Sequence, residues 1–389
     1  MPYERARHLL SRIQKASKLW PILGLLGSRQ SGKTTLFTKL LGIPNSISLD
    51  DLETKNEANH SPKVFLSKLS KPLVIDEAQK APPLFDAIKY DVDKNKRPGT
   101  YYLTGSSAFS SKIGVRESLT GRIGLFELHP MTLSELEQNA HKAQSFFVNK
   151  KSNYEIETFL KRMMYGGMPV PAFMRNQEER NSYWQSWLET TLYRDLAAFI
   201  PRSYDPDLAY SILSRMIKVF LDGELPTLKH FLQPARKVRQ YLDAMSEIFL
   251  VKKFHCHETG VGKEVWYLFD SGLLAYLMRN TQSEGASLSL SRHFLMNELS
   301  AHHGFRGERF IRQYFKTARS GIVDFLIDDI PCKVVPSVSG ITRQRGWEEK
   351  PLLSAMKHLK VKKGFLIGPT DTIDIPKSGI GVLPLHYFS

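Results

Sequence analysis

Apolar residues in the first third of this chain fall into short runs, each closed by a glycine or by paired polar residues. Between the runs lie stretches with the apolar spacing of helices. Leu19, Trp20, Pro21, Ile22, Leu23, Gly24, Leu25 and Leu26 make a run long enough for one buried strand, and Leu36-Phe37-Thr38-Lys39-Leu40-Leu41 has helical spacing. A second strand reads from Ser46 to Leu49 with its exit at Asp50 and Asp51, followed by a polar helical stretch. Pro72-Leu73-Val74-Ile75 is a third strand, ending in Asp76 and Glu77, and a helix follows over Pro83–Ile88. Thr100–Leu103 predicts another strand, ending in Thr104-Gly105-Ser106-Ser107. The segment from Glu117 to Leu128 predicts a helix stopped by Gly121 and then a last strand. Strands that alternate with helices place the chain in the α/β class with a parallel sheet.

The pattern changes after this. Tyr165-Gly166-Gly167-Met168-Pro169 is a glycine-proline break between helical stretches, and Ser182–Leu196 again has helical spacing; its aromatics read as core. From residue 208 to residue 280 the order is helix, short helix, helix, strand, strand, which predicts a winged helix. The third helix starts near Ala235, and the loop holding Gly260 and Gly262 would be the wing. Arg236, Lys237 and Arg239 on that third helix would meet phosphates and base edges, or else the winged helix serves packing and its basic face is only solvated. Asp270-Ser271-Gly272-Leu273 reads as a helix start capped by Asp270 or Ser271.

Gly27-Ser28-Arg29-Gln30-Ser31-Gly32-Lys33-Thr34-Thr35 adds chemistry to the first strand–helix junction. The nine residues fit the phosphate-loop pattern G-x-x-x-x-G-K-[ST] and sit between a strand and a helix, as such a loop must. Main-chain amides and a helix N-terminus there form an anion cradle for ATP, with Lys33 reaching the outer phosphates. Thr34 and Asp76 are the candidate Mg²⁺ ligands, Asp76 acting through water, and Glu77 is the candidate base for the attacking water. The two acids otherwise cap the next helix, and their strand is expected beside the loop's own strand. Ser106, with Thr104, is a candidate sensor of the γ-phosphate or the lytic water, or else part of a plain turn. Arg122 is expected near the strand tips, either stabilising transition-state charge in its own or a neighbouring subunit or pairing with a surface acid. Arg194 would reach the phosphates from a helical lid, or form an ion pair.

The formal net charge of +15 over 389 residues favours an anionic partner, nucleic acid first, although the basic residues are spread too evenly to mark a site. Two cysteines exclude a disulfide framework, no apolar run reaches the length of a membrane span, and the charged start lacks a signal-peptide core, so a cytoplasmic location is expected. His255-Cys256-His257 fits no zinc spacing.

Five segments occur in one order: the phosphate loop, Ile-Ser-Leu-Asp-Asp, Val-Ile-Asp-Glu-Ala-Gln, Leu-Thr-Gly-Ser-Ser and Ser-Leu-Thr-Gly-Arg. In this the chain resembles prokaryotic AAA-superfamily ATPases whose C-terminal half, a domain of unknown function, carries a winged helix and a restriction-endonuclease-like fold. The resemblance implies a P-loop ATPase domain over residues 1–135, a helical lid over 136–200, a winged helix over 201–285 and a nuclease-like α/β domain over 286–389. It also implies ATP hydrolysis and DNA-linked work, and the reading that follows is a self-associating, Mg²⁺-dependent ATPase that engages DNA. Glu298 and Asp324 match the nuclease-like pattern, but Val334 and Pro336 stand where a metal-binding Glu and a catalytic Lys belong, and Lys333 is one residue out of phase. No DNA cleavage is expected, while Lys316 and Arg319 remain candidate phosphate contacts. The alternative reading is a nucleotide-dependent switch or scaffold for a protein partner, with no nucleic-acid role.

Overall fold

The computed structural model describes residues 4–107, 119–138, 147, 156–200, 204–279, 281–308, 310–318, 321–336 and 345–388. Glu117, Ser118 and Arg319 lie outside the described residues.

The first third forms a five-stranded parallel sheet of β1 (Ile22–Leu26), β2 (Asn45–Ser48), β3 (Leu73–Asp76), β4 (Tyr101–Gly105) and β5 (Ile123–Glu127), in the order β2-β3-β4-β1-β5. Around it lie α1 (Leu9–Ala16), α2 (Lys33–Thr35, continuing in π geometry over Leu36–Leu40), α3 (Leu52–His60), α4 (Pro62–Ser67) and α5 (Pro83–Asn95). Side chains of a strand alternate between faces. Ile22 and Leu26 therefore join Phe65, Leu84 and Ile88 on one face, while Leu23 and Leu25 join Leu9, Ile13 and Phe37 on the other. One expectation needs correcting: β4 lies between β1 and the acid-bearing β3. Asp76 is thus two strand spacings from the loop strand, about 10 Å at the usual separation.

The remainder begins with α6 (Leu133–Leu136), α7 (Ile156–Tyr165) and α8 (Gln177–Thr190), which runs on as a π turn (Thr191–Leu196) and a 3-10 turn (Ala197–Phe199). Then come α9 (Pro206–Leu221), a 3-10 turn (Leu228–His230), α10 (Ala235–Glu247), β6 (Val251–Cys256), β7 (Val265–Leu268), α11 (Ser271–Leu277) and α12 (Glu284–Arg306). Strands β8 (Gln313–Thr317) and β9 (Gly321–Val323) complete a sheet ordered β7-β6-β8-β9. A last sheet, β10-β11-β12-β13, uses β10 (Phe325–Ile327), β11 (Ile330–Val334), β12 (Lys363–Gly368) and β13 (Gly379–Pro384), with α13 (Arg345–Leu359) packed on it.

The segments 136–200, 201–285 and 286–389 share strand pairing and core. Strand β6 pairs in parallel with β8 across the 285/286 border. One hydrophobic core holds Trp184, Met216, Tyr241, Trp266, Leu295, Phe365 and Phe388 together. Helix α12, 23 residues long and buried from Ser289 to His303, is its shared spine.

The nuclease-like acids do not converge. Arg292 Nε on α12 donates to Asp324 Oδ1 at 2.7 Å, Arg292 Nη1 donates to Gly223 O at 2.5 Å, and Asp324 Oδ2 accepts from the Val334 amide at 2.7 Å. A guanidinium therefore neutralises the fully buried Asp324. Glu298 lies six residues further along α12, about 240° around the helix, and accepts from the Leu133 amide at 2.9 Å instead. Lys333 faces Glu348 at 3.2 Å. Arg292→Ala would leave a buried carboxylate unpaired, a change that costs about 3–5 kcal/mol. The expected result is a clear fall in the urea midpoint of the full chain, and an unchanged midpoint would deny the pair its structural role.

Candidate nucleotide site

The phosphate loop leaves β1 at Gly27, where only glycine fits: an added Cβ would lie 2.4 Å from the Leu128 carbonyl oxygen. Gly32 takes the left-handed conformation (φ 96°) and opens α2, whose first amides have no acceptor within the helix. Lys33, 5% exposed, donates from Nζ to the carbonyls of Gly27 at 3.0 Å and Ser28 at 2.9 Å. Burial lowers its ammonium pKa, opposed by the charges of Glu77, Asp76 and Asp195. Ser31 Oγ is buried with no hydrogen-bond partner among the described residues. A glycine cradle, a buried cation and an unspent hydroxyl suit a triphosphate.

Asp76 ends β3 and accepts from the Thr104 hydroxyl at the tip of β4. Glu77 follows in the left-handed region (φ 54°), uncommon for a residue with a side chain. Its Oε2 accepts from Ser106 Oγ at 2.8 Å, from the Ser106 amide at 3.3 Å and from Gln79 Nε2. Ser106 thus holds the acid in place. The side chains of both strand-tip residues are committed to the carboxylates.

The loop, both acids, Arg7, Arg29 and Arg194 border one cavity of about 380 Å³. Arg29 Nη1 lies 3.5 Å from Asp195, which also binds Arg194 at 2.8 Å. Burial raises the Asp195 carboxyl pKa, and Arg194 partly offsets this. Trp187 Nε1 donates to the Arg29 carbonyl at 3.3 Å, and the Tyr183 hydroxyl donates to Gln30 Oε1 at 2.8 Å. Helix α8 therefore rests on the loop, and its π continuation carries Arg194 to the cavity edge. Arg194 is ion-paired, and it also lines the cavity.

Arg7 was not legible in the sequence. It is 5% exposed, donates to Ser31 O at 3.1 Å and His129 O at 2.7 Å, and pairs with Glu135 at 3.1 Å. Glu135 also closes a capping box with Thr132 at the start of α6. The Thr-x-x-Glu spacing was the only local signal of that cluster.

Arg122 corrects an expectation. It precedes β5, at the edge of the sheet away from the loop, and pairs with Asp93 at 2.5 Å. The length of a five-residue strand, about 16 Å at 3.3 Å per residue, separates it from the phosphate edge of its own subunit. Arg236 and Lys237 are exposed on α10; Arg239, also exposed, pairs with Glu264 at 2.5 Å. Lys316 is half-buried on β8. Away from the cavity, His303, Glu308 and Asp328 bring ligand atoms within 4.8 Å of one another, but Glu308 is held by Arg306 at 2.5 Å. Among the described residues no helix is long and apolar enough to cross a membrane.

Residues 20–137 match an AAA domain, and residues 156–284 match a domain of unknown function (DUF8612). Uncharacterised proteins of Mycobacterium tuberculosis and Mycobacterium bovis are each 28% identical over 283 residues, covering 70% of this chain. The chain spans 59% of the length of these curated relatives. Among solved structures, a Walker-type ATPase of Pyrococcus abyssi is 13% identical, with TM-score 0.45 over 72% of this chain and 100% of its own. AMPPCP-bound DnaA from Aquifex aeolicus is 14% identical, with TM-score 0.30 over 61% of this chain and 86% of its own.

Proposed function

We propose, for a chain that carries an AAA-type P-loop ATPase domain, that it hydrolyses ATP with Mg²⁺ and couples its nucleotide state to movement of a C-terminal half that binds duplex or branched DNA. The observation that carries the ATPase reading is the convergence of Lys33, Asp76 and Glu77 on one cavity. The amides from Gly27 to Thr35 would hold phosphate oxygens, and Lys33 would turn from its loop carbonyls to the outer phosphates. Thr34 and Asp76 border the same cavity and would hold Mg²⁺, which supplies charge neutralisation for the phosphate oxygens. Glu77 would take the proton of the attacking water. Its three bonds converge on Oε2, leaving Oε1 for that water. Arg194 would leave Asp195 for the phosphates. Arg122 would serve only a neighbouring subunit of a self-associated form.

Three observations support the DNA reading. The net charge is +15. Residues 206–268 have the helix–turn–helix–hairpin order of a winged helix, with Arg236 and Lys237 exposed on the helix that would enter a groove. Strands β10–β13 and α13 are consistent with a nuclease-like domain whose two matching acids are engaged elsewhere, Asp324 by Arg292 and Glu298 by the Leu133 amide, which favours binding without cleavage. Arg239 would reach phosphate only by releasing Glu264, and Lys316 lies on β8, in one sheet with the β6–β7 hairpin.

ATPase rate measured against duplex, branched and single-stranded DNA and RNA tests this. DNA is expected to raise the rate at low salt and to lose that effect as salt rises. Arg236→Ala with Lys237→Ala should remove the stimulation and leave the basal rate intact. A flat response to every nucleic acid would overturn the DNA reading in favour of a nucleotide-dependent scaffold for a protein partner. The pairing of Lys253 with Asp243 at 3.0 Å and of Arg239 with Glu264 already neutralises part of the basic face in that direction.

A further inference from the structure

We propose that Asp270 is a positioning residue of the nucleotide site: it seats the Gly166–Pro169 turn against the phosphate loop and transmits nucleotide binding to the start of α11. The proposal rests on the nucleotide-binding reading above and names the joint through which the C-terminal half would sense the loop.

Asp270 is 1% exposed, and its two oxygens serve different segments. Oδ1 accepts from the amides of Gly272 at 2.8 Å and Leu273 at 3.2 Å, capping α11. Oδ2 accepts from the Gly167 amide at 2.8 Å, across more than 100 residues of sequence. The backbones meet too closely for side chains. A Cβ on Gly166 would lie 2.1 Å from Asp270 Oδ1, one on Gly272 2.3 Å from Tyr165 O, and one on Gly167 2.2 Å from Met131 O. The remaining cavity at this junction is about 10 Å³, at most one water.

Contacts on both sides extend the joint. Gly167 O accepts from the Met131 amide at 2.7 Å, one residue from the Thr132 cap that shares Glu135 with Arg7. Met168 Sδ accepts from the loop's Ser28 hydroxyl at 3.8 Å, and Pro169 is the atom group nearest a Cβ built on Gly32, at 3.8 Å. Met131, Pro169 and Val170 line the nucleotide cavity. On the far side, the Ser271 hydroxyl donates to Met163 O at 2.7 Å and ties α11 to α7. Close-packed matter transmits a shift rather than absorbing it. Moving Gly32 or Ser28 therefore moves the turn, and the turn pulls on Asp270. Capping a helix does not require a buried charge, since a neutral Ser or Asn caps as well. Burial raises this carboxyl to about 6, the cost of keeping a charge here.

Asp270→Asn separates the two duties. The amide oxygen can still cap α11, while the Nδ2 group meets the Gly167 amide donor to donor. Hydrogen exchange of the full chain, with and without Mg²⁺ and AMPPNP, reads the result. In the wild type, nucleotide is expected to slow exchange at 27–35, at 166–170 and at 270–274 by at least tenfold. In Asp270→Asn the slowing at 27–35 should persist and that at 270–274 should vanish; Asp270→Ser, which keeps a capping hydroxyl but is too short to hold Gly167, should behave alike if the asparagine variant folds poorly. Protection at 27–35 with none at 270–274 in the wild type overturns the proposal, as does unchanged coupling in both variants. No protection at 27–35 overturns the nucleotide reading itself.

Discussion

Lys33→Ala is expected to abolish measurable ATP binding and to bring hydrolysis down to background. The ammonium is buried against two carbonyls of the loop and faces Asp76 and Glu77. Its removal takes away the cation placed between the outer phosphates and these carboxylates, in a site of low dielectric. Losing one such charge-stabilising contact costs about 100-fold to 1,000-fold. Titration calorimetry with Mg²⁺-ATP checks it. Because Lys33 bonds only to carbonyls of its own loop, the thermal transition should move little, and loss of binding would not reflect unfolding. A dissociation constant within threefold of the wild type would remove Lys33, and with it the assignment of the loop.

Glu77→Gln should give the opposite split, with ATP retained and turnover lost. Glutamine keeps the length of the side chain and can still accept from Ser106 and its amide, so the geometry at the tip of β4 survives. It cannot take a proton from water. General-base catalysis is worth about 100-fold to 10,000-fold, and kcat should fall by that amount while nucleotide affinity stays within a few-fold. A single-turnover assay that follows bound ATP checks both halves. Normal hydrolysis in this variant would mean that the base lies elsewhere.

The parts of the fold that were legible in sequence are those in which neighbours along the chain are neighbours in space. The strand–loop–helix at Leu19–Leu41 shows in a run of apolar residues, two glycines and a lysine. The capped start of α11 shows in Asp270-Ser271-Gly272-Leu273, and Asp270 does cap it. The out-of-phase Lys333 faces Glu348, as a one-residue register offset requires. Arg122 misled because a glycine-arginine turn before a strand looks the same at either edge of a sheet. The order β2-β3-β4-β1-β5 was hidden for a related reason: spacing along the chain says where a strand lies, not which strand it joins.

The contiguous residues from Gly27 to Thr35 determined by themselves that this chain carries a phosphate loop, because backbone torsions at Gly27 and Gly32 are local properties and the nine residues build the cradle alone. Only the tertiary structure decided what surrounds it. Arg7 on Ser31, Ser106 on Glu77, Arg292 on Asp324 and Asp270 on Gly167 each join segments far apart in sequence. Such pairs depend on which apolar faces pack together, and that depends on the whole core rather than on any window of residues.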